Sequence, residues 1–131
     1  MEHQGPQKGF ARLHCGLCVR ASSLIIFTFS GLTGTDRWRN RDRFIKGRAE
    51  IEAFLTEKWA KELDYRLKKE LFCFTDNKIA VDFQYEYRNK EGQWFRAYGI
   101  EHWTFDSNGL MKERQMSCND ISIKEHERKL K

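Results

Sequence analysis

The 131 residues suffice for one domain with a buried core, and 40% apolar with 33% charged residues is an ordinary globular balance. That balance excludes a disordered or collagen-like chain, and no stretch reaches the ~20 consecutive apolar residues of a membrane-spanning helix. A formal net charge of +5 permits an acidic partner without requiring one, and bears mainly on solubility.

Residues 1–35 are rich in Gly, Ser and Cys and show no helical period. Cys15 and Cys18 form a C-x-x-C with His14 beside it, but no second ligand pair stands at zinc-like spacing. No metal or other cofactor is therefore expected. The run at 21–32, after Lys8, Arg12 and Arg20, has the apolarity of a signal-peptide core but a poor cleavage pattern, so the cytoplasm is the expected compartment. Three units are expected: an atypical N-terminal segment (1–35), a main domain (36–120) and a charged C-terminal tail (121–131).

Residues 36–44 read as one short strand. Its alternation sets Arg37, Arg39, Arg41 and Arg43 against Trp38, Asn40, Asp42 and Phe44. The next segment is the clearest helix, because Ile51, Phe54, Leu55, Trp59 and Leu63 form an apolar stripe at helical spacing. Four strands in hairpin order follow, separated by turn signals at Asp76-Asn77, at 89–92 and at 106–109. A helix followed by an antiparallel meander implies an α+β domain whose sheet packs its aromatic face on helices.

Within the third of these strands, Glu101 interrupts the apolar stripe of Phe95, Ala97, Gly99, Trp103 and Phe105. The turn at 106–109 brings Arg114 near it. A Ser107–Asn108 loop puts Arg114 directly opposite Glu101, whereas an Asn108–Gly109 loop puts it opposite Trp103 and diagonal to Glu101. An even loop at 89–92 would pair the odd face of 79–87 with Trp94, Arg96 and Tyr98. A bulge at Gly99 is then needed to restore the odd apolar face beyond it. The expected concave face carries Phe83, Tyr85, Tyr98, Glu101, Trp103, Arg114 and Met116.

The words WRNR (38–41), GRAEIEAFLTEKWAKELDYRL (47–67), GQWFRAYGIEHW (92–103), GLM (109–111) and ND (119–120) resemble a SnoaL-like family of unassigned activity in the nuclear transport factor 2-like superfamily. The resemblance covers about residues 36 to 128. It implies a curved antiparallel sheet wrapped around helices in a cone, dimeric through the outer sheet face, with a pocket between sheet and helices. It also implies amphipathic lid helices, which residues 1–35 do not display. Related activities include dehydratases, isomerases and epoxide hydrolases, so the fold does not assign a reaction.

The expected site has Glu101 as base or polar anchor and Arg114 as its orienting partner or an anion ligand. Trp38, Asn40 and Trp59 would line it from the first half of the domain. Phe83, Tyr85, Tyr98 and Trp103 would line it from the middle strands, and Met116, Asn119 and Asp120 from the last. The expected partner is a small hydrophobic or amphipathic molecule open to acid–base chemistry. The alternative is a non-catalytic, dimeric ligand-binding or interaction module. A nucleic acid bound through Arg37, Arg39, Arg41, Arg43, Lys46 and Arg48 is the weakest reading, since such runs are usually solvated faces paired with nearby acids.

Overall fold

The computed structural model describes residues 32–131, with side chains from Asp36 onward. The Cys15–Cys18 motif, the apolar run at 21–32 up to residue 31 and the absence of lid helices concern positions outside the described residues.

Six strands form one sheet: β1 (Leu32–Asn40), β2 (Arg43–Lys46), β3 (Leu63–Thr75), β4 (Lys78–Arg88), β5 (Trp94–Phe105) and β6 (Met111–Ile123). One helix, α1 (Gly47–Lys61), joins β2 to β3, and a short 3-10 turn (Glu125–Glu127) follows β6. The strand order is β2-β1-β6-β5-β4-β3. Every neighbouring pair is antiparallel except β1 and β6, which run parallel. The expected antiparallel sheet is thus a mixed one, because β1 inserts beside the last strand of the meander.

Residues 36–44 make a hairpin and its turn, not the single strand expected. Arg41 takes a positive φ of 58°, and Asn40 pairs directly with Arg43 across the two-residue turn. Since Trp38 pairs with Ile45, those two share the inner face with Asp36 and Asn40. Phe44 joins the arginine side and is 82% exposed. In α1, Ile51, Phe54 and Leu55 are buried against Trp38 and Ile45, with Trp59 packed alongside. Glu50 in the first turn accepts the Lys46 amide at 2.7 Å, and Lys58 and Lys61 stand in the last turn, as the helix dipole favours.

The β4–β5 connection decides which faces meet. Five residues, 89–93, form the loop, closed by the Asn89 amide on the Gln93 carbonyl at 2.9 Å, with Gly92 at φ 84°. An odd loop pairs odd residues with odd: Tyr85 with Ala97, Phe83 with Gly99, Val81 with Glu101. The register runs unbroken past Gly99, so the expected bulge is not there. Gly99 answers a different demand. A Cβ on it would lie 2.3 Å from the Phe83 ring and 2.5 Å from the Ser117 carbonyl oxygen.

The β5–β6 loop also has five residues, 106–110, with the Asp106 carboxylate accepting the Asn108 and Leu110 amides at 2.8 and 2.9 Å. A one-residue shift between Thr104 and Phe105 then sets Trp103 opposite Arg114 and Glu101 opposite Met116. This is the second of the two registers weighed from sequence, reached by a longer loop and a bulge.

The outer face is covered at one end by the chain terminus. Glu86 and Arg96 form a buried ion pair at 2.7 Å, and the Lys129 and Leu130 amides donate to the Glu86 carboxylate at 2.9 and 3.0 Å. Arg96 donates to the Glu127 carbonyl, and the Arg128 guanidinium stacks 3.8 Å from the Trp94 ring centre. Burial opposes ionisation of Glu86, but those two amides and Arg96 outweigh it and lower its pKa. β6 itself continues to Ile123, three residues beyond the expected domain end.

Candidate functional site

The inner wall is built by alternation. Odd residues of β4 and β5 and even residues of β6 face α1, as do Trp38 and Asn40 of β1. Phe83 and Tyr85 stack at 5.9 Å, Tyr85 leans on Tyr65 at 4.9 Å, and Trp59 meets Tyr65 edge-on at 4.8 Å. Met116 is buried beside them.

Glu101 sits in this apolar surround at 3% exposure. One carboxylate oxygen accepts the Arg114 guanidinium at 2.6 Å. The other accepts the Lys69 ammonium at 3.0 Å and the Trp103 indole N–H at 2.7 Å. The cations lie against aromatic faces, Lys69 at 4.8 Å from the Trp103 ring centre and Arg114 at 4.9 Å from that of Trp38. Burial alone would raise the Glu101 pKa, but Arg114 and Lys69 outweigh it and hold the carboxyl down to about 2. For Lys69, burial dominates and lowers the pKa despite Glu101.

A second charged pair stands nearby. Lys58, from the last turn of α1, is paired with Glu62 and lies 4.7 Å from the ring centres of both Tyr65 and Tyr85. Burial lowers its pKa, Glu62 opposes that, and the positive charge of Arg114 adds to the lowering. Burial likewise raises the pKa of the Tyr65 and Tyr85 hydroxyls and of the Cys118 thiol. At the rim, Arg41 joins Asp120 at 2.6 Å and reaches the Tyr85 hydroxyl at 3.2 Å.

Among the residues expected at the site, the structure brings Glu101, Arg114, Trp38, Asn40, Trp59, Phe83, Tyr85, Trp103 and Met116 to the inner side, and Asp120 to its rim. Tyr98 and Asn119 are corrections. They pair with each other on the outer face, because the odd loop at 89–93 turns even residues of β5 outward, and Tyr98 is 40% exposed. Lys69, Lys58, Glu62, Tyr65 and Arg41 were not expected. The signal for Lys69 was available: between Leu67 and Leu71 it interrupts an apolar alternation as Glu101 does in β5.

His102 is on the outer face and His126 in the terminal turn, both exposed, so neither reaches the inner wall. Among the described residues no three His, Cys, Asp or Glu side chains gather to hold a metal ion. No described helix is long and apolar enough to cross a membrane. Most of the arginine run is engaged in ion pairs, Arg37 with Glu113, Arg41 with Asp120, Arg43 with Glu57 and Arg48 with Glu52, while Arg39 donates to the Arg41 and Met116 carbonyls.

A family model described as protein of unknown function (DUF1348) matches residues 27–131. No curated protein matches the chain. Solved structures do. A nuclear transport factor 2-like protein of unknown function from Exiguobacterium sp. 255-15 superposes with a TM-score of 0.67 at 10% identity, over 76% of this chain and 86% of that one. SalBIII, an epoxide hydrolase/cyclase-like enzyme of pyran ring formation in salinomycin, gives 0.63 at 12% identity, over 72% and 78%. A Mycobacterium tuberculosis protein in complex with estradiol-17beta-hemisuccinate gives 0.62 at 15%, over 70% and 78%. At these identities the likeness is one of fold: an α+β cone of the nuclear transport factor 2-like type.

Proposed function

Because the chain belongs to the family of proteins of unknown function DUF1348 and has a nuclear transport factor 2-like fold, we propose that it is a SnoaL-like small-molecule-binding protein whose ligand lies against the inner wall of the cone. The observation that carries this reading is the Glu101–Lys69–Arg114 cluster, in which a buried carboxylate holds two largely buried cations among aromatics. Stability does not call for it, since apolar side chains of similar volume commonly serve a core as well as or better than buried ions. Perturbed charges set among aromatic side chains support a site there. Fold neighbours that are cyclase-like or hold a steroid hemisuccinate are in keeping with a small apolar ligand.

Glu101 serves here to hold Lys69 and Arg114 in place on the inner wall. A carboxylate held to a pKa of about 2 is a poor proton acceptor near neutral pH, which counts against the role of general base. Any chemistry in the cone would instead draw on its cations and hydroxyls.

The test is a fragment screen followed by NMR. A binder should shift the indole N–H signals of Trp38, Trp59 or Trp103. Binders that disturb only outer-face groups such as His102 and Tyr98 would remove the inner site.

A second reading concerns the outer face, where Tyr98, Ile100 (50% exposed) and Ile121 lie in neighbouring positions. We propose that a second copy of the chain covers this face. Sedimentation should then show a dimer that Ile100→Glu converts to monomer. A wild-type monomer at tens of micromolar contradicts it.

A further inference from the structure

Every buried polar side-chain atom of the inner side that lacks a protein partner among the described residues is a hydrogen-bond donor. These atoms are the Trp38 Nε1, the Asn40 Nδ2 and the Trp59 Nε1. Trp38 and Asn40 are themselves more than nine-tenths buried. A fourth such atom, Arg128 Nε, belongs to the terminal segment near Glu86. Buried donors ordinarily find acceptors, so three on the inner side, two on β1 and one on α1 packed against it, describe a surface short of acceptors.

The charges say the same. Glu101 is shared between Lys69 and Arg114, so one negative charge faces two positive ones. Lys58 is held by Glu62, and Asp36, buried on the same face, is engaged in contacts of its own. Contacts link donors to cations: Arg114 lies over the Trp38 ring, Lys58 lies 5.0 Å from the Trp59 ring centre, and Lys58 and Arg114 repel each other. Burial depresses the pKa of both lysines against the opposing pull of Glu62 on Lys58 and of Glu101 on Lys69. A cationic ligand would meet acceptors that are already taken, since Glu101 holds three donors and Asp120 is occupied by Arg41.

We propose that the inner wall takes a small apolar molecule carrying a carboxylate, whose oxygens accept from the indole and amide N–H groups of Trp38, Trp59 and Asn40 and neutralise the surplus cation of the Lys69–Arg114 pair. The aromatic rings of Trp59, Tyr65 and Phe83 provide the apolar surround for the body of the ligand. This rests on the small-molecule reading above and adds to it the charge of the head group.

The experiment compares matched acids and amides, benzoate with benzamide and 2-naphthoate with 2-naphthamide, by NMR titration of the full chain. Trp38→Phe and Trp59→Phe assign the indole signals. The acids should move those signals downfield and bind at least about tenfold more tightly than the amides, since charge-assisted hydrogen bonds are the stronger kind. Lys69→Met leaves Glu101 balanced by Arg114 alone. It should weaken the acids about tenfold while sparing the amides. Equal binding of acids and amides overturns the carboxylate and leaves the small-molecule site standing. Binding of neither class overturns both.

Discussion

At Glu101 three donors converge on one carboxylate, and two of them carry charge. Removing that charge strands Lys69 and Arg114 together in a largely buried wall. Glu101→Gln should therefore cost about 3–5 kcal/mol in urea unfolding, the usual consequence of breaking a buried pair from one side. Lys69→Met, which leaves a balanced Glu101–Arg114 pair, should cost clearly less. Equal losses would mean that the cluster is not charge-coupled. The same residue sets an acid limit. Its folded pKa of about 2 lies below the ordinary glutamate value of 4.5, so on acidification the unfolded chain takes up this proton first. The stabilisation is complete above about pH 4.5 and is lost as pH falls through 2. Wild-type protein should lose stability over that window more steeply than Glu101→Gln. Gly99 is the other sensitive position: Gly99→Ala must displace the Phe83 ring or the Ser117 carbonyl, at about 1–3 kcal/mol.

Elements differed in how openly their sequences declared them. The α1 stripe and the β4 alternation were plain because burial on one face imposes a period, and Ile51, Phe54, Leu55, Val81, Phe83 and Tyr85 obey it. The hairpin at 41–42 was hidden because its left-handed residue is an arginine, which carries no turn signal. The β4–β5 face assignment turned on whether the loop held an even or odd number of residues. That was settled by Gln93, whose amide bonds the Asn89 side chain at 2.8 Å and whose carbonyl closes the loop. One residue of loop length moved Tyr98 from the inner wall to the outer face, where Asn119, odd in a strand whose even residues face inward, pairs with it. The terminal segment after β6 reads as charged tail, yet its backbone amides complete the solvation of Glu86. Hydrogen exchange can check this: the Lys129 and Leu130 amides should be protected in the wild type and lose that protection in Glu86→Ala. Equal exchange rates in both proteins would show that the segment is not docked.

At the scale of the molecule, the cone was legible from words spread across about residues 36–128 that resemble a SnoaL-like family, with the periods of α1 and β4 in agreement. The site was legible in part. Glu101 announced itself by breaking an apolar stripe, and the 106–109 turn limited Arg114 to two positions on the same face. Lys69 and Lys58 were not read, because long cationic side chains on strand and helix borders ordinarily extend to water. Here they fold back over Trp103 and over Tyr65 and Tyr85.

Titration of the Glu101 side-chain carboxyl by carbon-detected NMR addresses the buried, ionised cluster most directly. A midpoint near 2 is expected of a carboxylate enclosed with Lys69 and Arg114. A midpoint at the ordinary glutamate value of about 4.3 would place the residue in solvent at a sheet edge and contradict the inner site.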